Sequence, residues 1–219
     1  MKKTITLILI IVAAIAIIAY TDMIIRPPYL IKTMIKAPIF FLVPIVYACF
    51  CKDFKPFKLL TSNIKGVKLG LILGVGIYIV IMAFYLVANS FVDLTGIKSS
   101  LENNLGINKD NFFMIALYVC IINSFLEEWF FRGFVFSQGR ITSRKFAYII
   151  SSLSFAIYHI AIMDGMFNIA ILLIVLIGLF IGGTIFNYLN EKNQNIYASW
   201  FCHMFANFAM NTIGFLLFF

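Results

Sequence analysis

Seven apolar segments, most of them long enough to cross a lipid bilayer, constrain the fold of this 219-residue chain more than any other feature. Hydrophobic residues make up 63% of the sequence and charged residues 12%, and a soluble domain of this length could not cover so much apolar surface. A helix that spans the hydrocarbon core needs ~20 apolar residues and satisfies its own backbone hydrogen bonds. The sequence therefore predicts an all-α, polytopic membrane helical bundle of about seven transmembrane helices.

Polar or basic connections separate the predicted spans. The first span follows a basic start, and we interpret it as an uncleaved helix rather than a signal peptide because further spans follow it. Pro38 is predicted to open the second span, with a kink at Pro44. Gly70, Gly74 and Gly76 in the third span would permit close helix approach. The predicted spans cover residues 4–20, 38–51, 67–91, from 112 through the stretch at 123–133, 146–163, 167–189 and 198–219.

The net charge of +8 is spread over these connections rather than gathered in one run, so the predicted partners include the lipid bilayer and no nucleic acid. The positive-inside rule places the N-terminus and the basic connections at 52–68 and 140–145 in the cytoplasm. The polar, slightly acidic segment at 93–111, a loop or an interfacial helix, then lies outside. We therefore expect a multi-pass protein of the cell membrane. Three basic residues in the first predicted external loop conflict with this rule: Arg26, Lys32 and Lys36.

The four cysteines all lie within apolar segments, with no CxxC pair and no cysteine–histidine cluster. They are predicted to be reduced core residues, and neither a disulfide framework nor a zinc knuckle is indicated. Because no repeat or linker divides the chain, residues 1–219 are predicted to form a single membrane domain.

Glu127 and Glu128 lie in the apolar fourth span, in the stretch NSFLEEWFFRG. A charged residue at the centre of a membrane helix costs ~2.5–3.5 kcal/mol and indicates function by default. Glu128 and Arg132 are four residues apart on one helical face and are predicted to form an ion pair. Glu127 is rotated by ~100° and should project into the bundle, where it suits a general base. Alternatively, both glutamates lie at the membrane interface and only mark the helix end.

The only two histidines of the chain, His159 and His203, lie in the fifth and seventh spans. Asn207 shares a helical face with His203, although such residues can also serve as interhelical contacts. If the three spans pack together, one buried site gathers a carboxylate, two imidazoles and an amide, a set that suits hydrolysis. Glu127 would activate water with His159, while His203 and Asn207 would donate hydrogen bonds to an oxyanion. No serine or cysteine is placed with a base.

Three motifs carry a resemblance to a known family. EExxxR is present at 127–132, FxxxH at 155–159 and HxxxN at 203–207. In this order they resemble the CAAX-protease and bacteriocin-processing (CPBP) family of intramembrane proteases, also called the Abi family. The resemblance covers residues 112–219, which would form a catalytic core, whereas the spans within residues 1–111 carry no signature.

The resemblance implies an intramembrane endopeptidase similar to the type II CAAX prenyl endopeptidases. It assigns the activation of water to Glu127 and His159 and the binding of the oxyanion to His203 and Asn207. Glu128 and Arg132 would support them. No cofactor is expected, because the resemblance favours a metal-independent glutamate mechanism. The alternative is zinc bound by the three ligands Glu127, His159 and His203.

The expected substrate is a peptide or protein. The richness of the chain in isoleucine, lysine and asparagine suggests a bacterial source, where prenylated substrates are not expected. The function predicted is the maturation of a small peptide, a bacteriocin or pheromone precursor, or bacteriocin self-immunity. The alternatives are a non-enzymatic membrane scaffold that regulates another membrane protein, and a transporter that uses the buried glutamates as a proton relay. The sequence does not predict an oligomeric state.

Overall fold

The computed structural model describes residues 2–61, 64–89 and 95–219, and in these residues it contains helices and no strand. Seven of the described helices are long and apolar enough to span a membrane, which confirms the predicted all-α polytopic bundle. The end of the predicted third span at Phe91, and Asp93 at the start of the next segment, lie outside the described residues. The spans are α1 (Lys2–Ile25), α2 (Tyr29–Phe50), α3 (Ile64–Ala88), α5 (Phe112–Gly139), α6 (Arg144–Ile162), α7 (Ile169–Asn193) and α8 (Tyr197–Phe218), and the short helix α4 (Thr95–Leu105) lies between α3 and α5.

The second span begins earlier than predicted. α2 starts at Tyr29, directly after Pro28, and both Pro38 and Pro44 lie inside the helix. The prediction that Pro38 opens this span was wrong, because neighbouring helices in a bundle can compensate for the hydrogen bond that a proline removes. Lys32 and Lys36 consequently lie within a membrane span rather than in an external loop.

Two of the three basic residues that conflicted with the positive-inside rule are thus not loop charges. Lys32 is buried, and its Nζ lies 3.5 Å from Asp22 Oδ1 and donates to the carbonyl oxygen of Asn104 at 3.1 Å. Arg26 lies in the turn between α1 and α2 and forms an ion pair with Asp164 at 2.8 Å. The polar segment before α5 is helical at Thr95–Leu105.

Helix α5 is the centre of the bundle. Two π-helical segments, Val119–Asn123 and Glu128–Phe136, interrupt its α-helical hydrogen bonding, and such segments occur often at functional sites. Every residue of the second segment is buried. Phe130 stacks on Phe40 of α2 at 4.7 Å, and residues from α1 and α6 complete the same apolar core. This packing places the glutamate pair of α5 in the interior of the bundle.

Helices α3 and α7 form the outer side of the bundle, and many of their large apolar side chains are exposed, as expected for residues that face lipid. α3 packs along α8. The contact is close at Gly70, where an added Cβ would lie 2.5 Å from the carbonyl oxygen of Ala198, and at Gly74, where it would lie 2.7 Å from the Phe205 ring. At Gly76 an added Cβ would meet nothing within 4 Å. Two of the three glycines predicted to permit close helix approach therefore do so.

We expect Gly70→Ala to destabilise the protein by about 1–3 kcal/mol, because the new methyl group would force α3 away from α8. The measurement is the midpoint of thermal unfolding in detergent. Gly76→Ala is the matched control on the same helix and should leave the midpoint unchanged or raise it, since alanine is the better helix former. Equal midpoints for the two variants would contradict this account of the contact.

Candidate active site

The predicted ion pair is present in the interior of the bundle. Arg132 Nη1 lies 2.9 Å from Glu128 Oε1, and both side chains are fully buried. The guanidinium lies over the rings of Phe155 and Phe186, at 4.2 and 4.9 Å from their centroids. A cation held between aromatic faces and beside a carboxylate keeps its charge away from lipid. The pair therefore anchors α5 against α6 and α7.

Glu127 uses its two carboxylate oxygens differently. Oε1 accepts hydrogen bonds from Asn123 Nδ2 at 2.7 Å and from the Tyr158 hydroxyl at 3.1 Å. Oε2 lies 3.9 Å from His159 Nε2 and 3.7 Å from His203 Nε2. These last separations are longer than a direct hydrogen bond but within reach of a bridging water. Oε2 is thus the oxygen that faces both imidazoles.

The two imidazoles have different partners at Nδ1. In His159 this nitrogen lies 2.7 Å from the carbonyl oxygen of Phe155; a carbonyl can only accept, so we assign the hydrogen to Nδ1. In His203 it lies 2.9 Å from Glu128 Oε1, and the ring stacks on Phe186. In both rings Nε2 is the nitrogen that points toward Glu127.

The two glutamates were predicted to lie on separate helical faces, and the structure modifies this expectation. Glu128 pairs with Arg132 as predicted, but it also contacts the same imidazole as Glu127. The ring of His203 has a nitrogen on either side and can therefore bridge carboxylates that diverge from the helix. The glutamates do not mark a helix end, because α5 continues to Gly139, and their exposed fractions in the bundle are 1% and 0%.

Asn207 lies one helical turn after His203 on α8. Its Nδ2 donates a hydrogen bond to the carbonyl oxygen of Val119 at 3.0 Å, in the first π-helical segment of α5. A side-chain amide has two N–H groups, so this bond leaves one donor. The structure thus gathers Glu127, Glu128, Arg132, His159 and His203 into one cluster and places Asn207 at the α5–α8 contact beside it.

Two further residues contact the cluster and a third contacts one of these two; none of the three was predicted. Asn123 lies four residues before Glu127, so helical spacing alone could have indicated it. Tyr158 lies inside the FxxxH motif, directly before His159. Lys36 donates to the Tyr158 hydroxyl at 3.1 Å, a contact that the sequence does not indicate because a span that begins at Pro38 leaves Lys36 in a loop.

The three residues named for the zinc alternative were tested against the geometry of a zinc centre. Glu127 Oε2 is separated from the two Nε2 atoms by 3.9 and 3.7 Å, whereas tetrahedral zinc with bonds of ~2.05 Å holds its ligand atoms about 3.3 Å apart. Among the described residues, no group of three His, Cys, Asp or Glu side chains is arranged to hold a metal ion. In this arrangement the donor set does not fit zinc.

Seven apolar helices around a buried cluster of carboxylates, an arginine and imidazoles define a multi-pass membrane protein with a polar site in its interior. The family model described as type II CAAX prenyl endopeptidase Rce1-like matches residues 109–209. This segment contains α5, α6, α7 and the motif-bearing part of α8, and the match confirms the resemblance drawn from the three motifs. Over this segment, which is slightly less than half of the chain, the protein is similar to the CAAX-protease family. The searches of curated proteins and of solved structures found no match.

We expect Arg132→Met to destabilise the protein by about 3–5 kcal/mol, because it leaves the carboxylate of Glu128 buried without its cation. Chemical unfolding in mixed micelles measures the effect. Combining it with Glu128→Gln should recover part of the loss, since the uncompensated charge is then removed.

The control for this prediction is Arg144→Met, which breaks an ion pair with Glu191 in which the arginine side chain is 68% exposed. Exposed pairs contribute up to about 1 kcal/mol, so this variant should change little. Equal losses of stability in Arg132→Met and Arg144→Met, or no recovery of stability when Glu128→Gln is added to Arg132→Met, would contradict this account. Burial of the Glu128–Arg132 pair would then not explain its contribution to stability.

Proposed function

We propose that the protein is an intramembrane endopeptidase that hydrolyses a peptide bond with water activated by Glu127. The observation that carries the proposal is the position of Glu127 Oε2, which faces the Nε2 atoms of both histidines at 3.9 and 3.7 Å inside the bundle. The match of residues 109–209 to a family of endopeptidases supports it. A carboxylate and two imidazoles that face one another are groups that general base catalysis can use.

In the proposed mechanism one water lies between Glu127 Oε2 and His159 Nε2. With its hydrogen on Nδ1, neutral His159 has a lone pair on Nε2 and accepts one hydrogen bond from this water. Glu127 Oε2 accepts the other hydrogen and takes that proton as the water oxygen attacks the peptide carbonyl carbon. The C–N bond then breaks, and the proton held by Glu127 passes to the leaving amine. The products are a carboxylic acid and an amine, and Glu127 is again a carboxylate.

The negative charge that develops on the carbonyl oxygen needs hydrogen-bond donors. In the proposed mechanism His203 donates from Nε2, and its Nδ1 and Nε2 lie 2.9 Å from Glu128 Oε1 and 3.7 Å from Glu127 Oε2. Asn207 supplies the N–H that its bond to Val119 leaves over. Glu128 and Arg132 support the site by orienting His203 and by balancing charge, without contact with the substrate.

The substrate we propose is a small peptide in the membrane, such as a bacteriocin or pheromone precursor; self-immunity to a bacteriocin would use the same chemistry. The prediction of a bacterial source, where prenylated substrates are not expected, favours this substrate class, and the family match supports cleavage of a peptide bond. The protein would act in the cell membrane with its N-terminus in the cytoplasm, as the distribution of basic connections indicates.

Glu127→Gln should abolish cleavage, with a loss of at least about 100-fold, because the amide keeps the size of the side chain but cannot accept the proton. The measurement is mass spectrometry of the peptides secreted by cells that produce either the wild-type protein or the variant. Peptides present only with the wild-type protein then identify the substrate, and the purified protein in micelles gives the rate.

The matched control is Glu102→Gln, which changes the same residue type on the exposed face of α4 and should leave the peptide pattern unchanged. Cleavage by Glu127→Gln at the wild-type rate would refute the mechanism. A phenotype that survives joint replacement of Glu127 and His159 would favour the alternative function of a non-enzymatic membrane scaffold. Proton flux in liposomes that depends on the two glutamates would favour the alternative function of a transporter.

We also propose that the reaction needs no metal ion, which is supported by separations between the three candidate ligands that are wider than zinc requires. A strong chelator added to the purified protein should therefore leave the rate of peptide cleavage unchanged. Loss of activity that zinc then restores would instead show a metal centre at these residues.

A further inference from the structure

Lys36 is a cation inside a membrane span and belongs to none of the three motifs. It is the eighth residue of α2, which places it about 10 Å along the helix from Tyr29. In the described part of the chain no carboxylate lies within ion-pair distance of its Nζ, and the hydrogen bond it makes is to the Tyr158 hydroxyl at 3.1 Å. Because an ionisable residue at this depth is costly, it calls for a functional explanation.

Counting donors and acceptors fixes the direction of this contact. An ammonium group only donates, so the Tyr158 oxygen must accept from Lys36. Its single hydrogen is then available for Glu127 Oε1 at 3.1 Å. Asn123 donates to the same oxygen at 2.7 Å. Two donors therefore hold Oε1, and Oε2 is the oxygen left for water.

An alternative explanation is that Lys36 only extends toward the polar end of its helix, as long basic side chains often do. Lys32, one turn nearer that end, contacts Asp22 and the Asn104 carbonyl there. Lys36 contacts Tyr158 deeper in the bundle. Both lysines line a cavity of about 30 Å³, large enough for a water molecule that could satisfy the remaining N–H groups of Lys36.

We propose that Lys36, acting through Tyr158, is a positioning residue for the general base Glu127. Its ammonium orients the tyrosine hydroxyl toward Oε1 and supplies the positive charge that balances the Glu127 carboxylate. The inference rests on the proposed function, and it adds a residue from α2, outside the segment that matches the family.

The first experiment measures kcat and KM for the full chain in detergent, with the peptide that Glu127-dependent cleavage identifies. Lys36→Met should lower kcat by about 10- to 100-fold with little change in KM, because the base and not substrate binding is disturbed. Lys36→Arg keeps a charged donor and should restore most of the activity. Tyr158→Phe should lower kcat similarly, and adding Lys36→Met to it should cause no further loss, since the lysine acts through the tyrosine.

The matched control is the double variant Asp22→Asn/Lys32→Met, which removes the neighbouring lysine together with its carboxylate and should retain the wild-type kcat. Additive losses for Lys36→Met and Tyr158→Phe, or an equal loss in the control, would mean that the lysines only stabilise the fold. The outcome that overturns the inference is wild-type kcat in Lys36→Met.

The second experiment does not need a substrate and so separates this inference from the proposed function. Infrared difference spectra of wild-type protein and Glu127→Gln identify the carboxylate stretching band of Glu127. This band should shift in Lys36→Met and in Tyr158→Phe and stay in place in the control double variant. An unshifted band in Lys36→Met would overturn the positioning role even if Glu127 proves essential for cleavage. A shifted band in a protein that cleaves no peptide would leave the role intact and reject the proposed function.

Discussion

Burial of charge in a lipid-enclosed interior is the constraint on which the rest of this structure depends. A carboxylate taken out of water is costly unless a cation and hydrogen bonds replace its solvation. Glu128 has Arg132 at 2.9 Å, and Glu127 has Lys36 through one tyrosine hydroxyl. Aromatic rings surround the guanidinium, and every residue of the π-helical segment that carries Glu128 and Arg132 is buried.

The same constraint gives two identical side chains different abilities. His159 has a backbone carbonyl at Nδ1, and His203 has a carboxylate there. A carbonyl fixes the position of one hydrogen and adds no net charge, so His159 is suited to accept a hydrogen bond at Nε2. In His203 the Nδ1 partner is a carboxylate at 2.9 Å, and the proposed donor to the oxyanion is the other ring nitrogen. The difference between the histidines thus lies in their Nδ1 partners rather than in their distances from Glu127.

Local periodicity explains what the sequence could predict. The spans follow from runs of apolar residues, and the Glu128–Arg132 pair follows from a spacing of four, because both depend on residues close together in the chain. Whether a helix begins at Pro38 or continues through it depends instead on what packs against it. The bond from Asn207 to Val119 and the contact of His203 with both glutamates join α8 to α5, and no single-helix pattern contains that information. The contact of Lys36 with Tyr158 likewise joins two helices, α2 and α6, and therefore could not be predicted from the pattern of either helix alone.

The part of the chain without motifs takes part in building the site. Phe40 stacks on Phe130, the Trp129 indole donates to the Phe41 carbonyl oxygen at 3.2 Å, and Lys36 reaches Tyr158. All three contacts join α2 to the helices that carry the motifs. A motif segment without α2 would expose the buried face of α5 and leave the Tyr158 hydroxyl without its cation. The boundary near residue 111 therefore separates residues that carry the recognisable chemistry from residues that hold it in place, and α2 belongs to the site as much as the motif-bearing helices do.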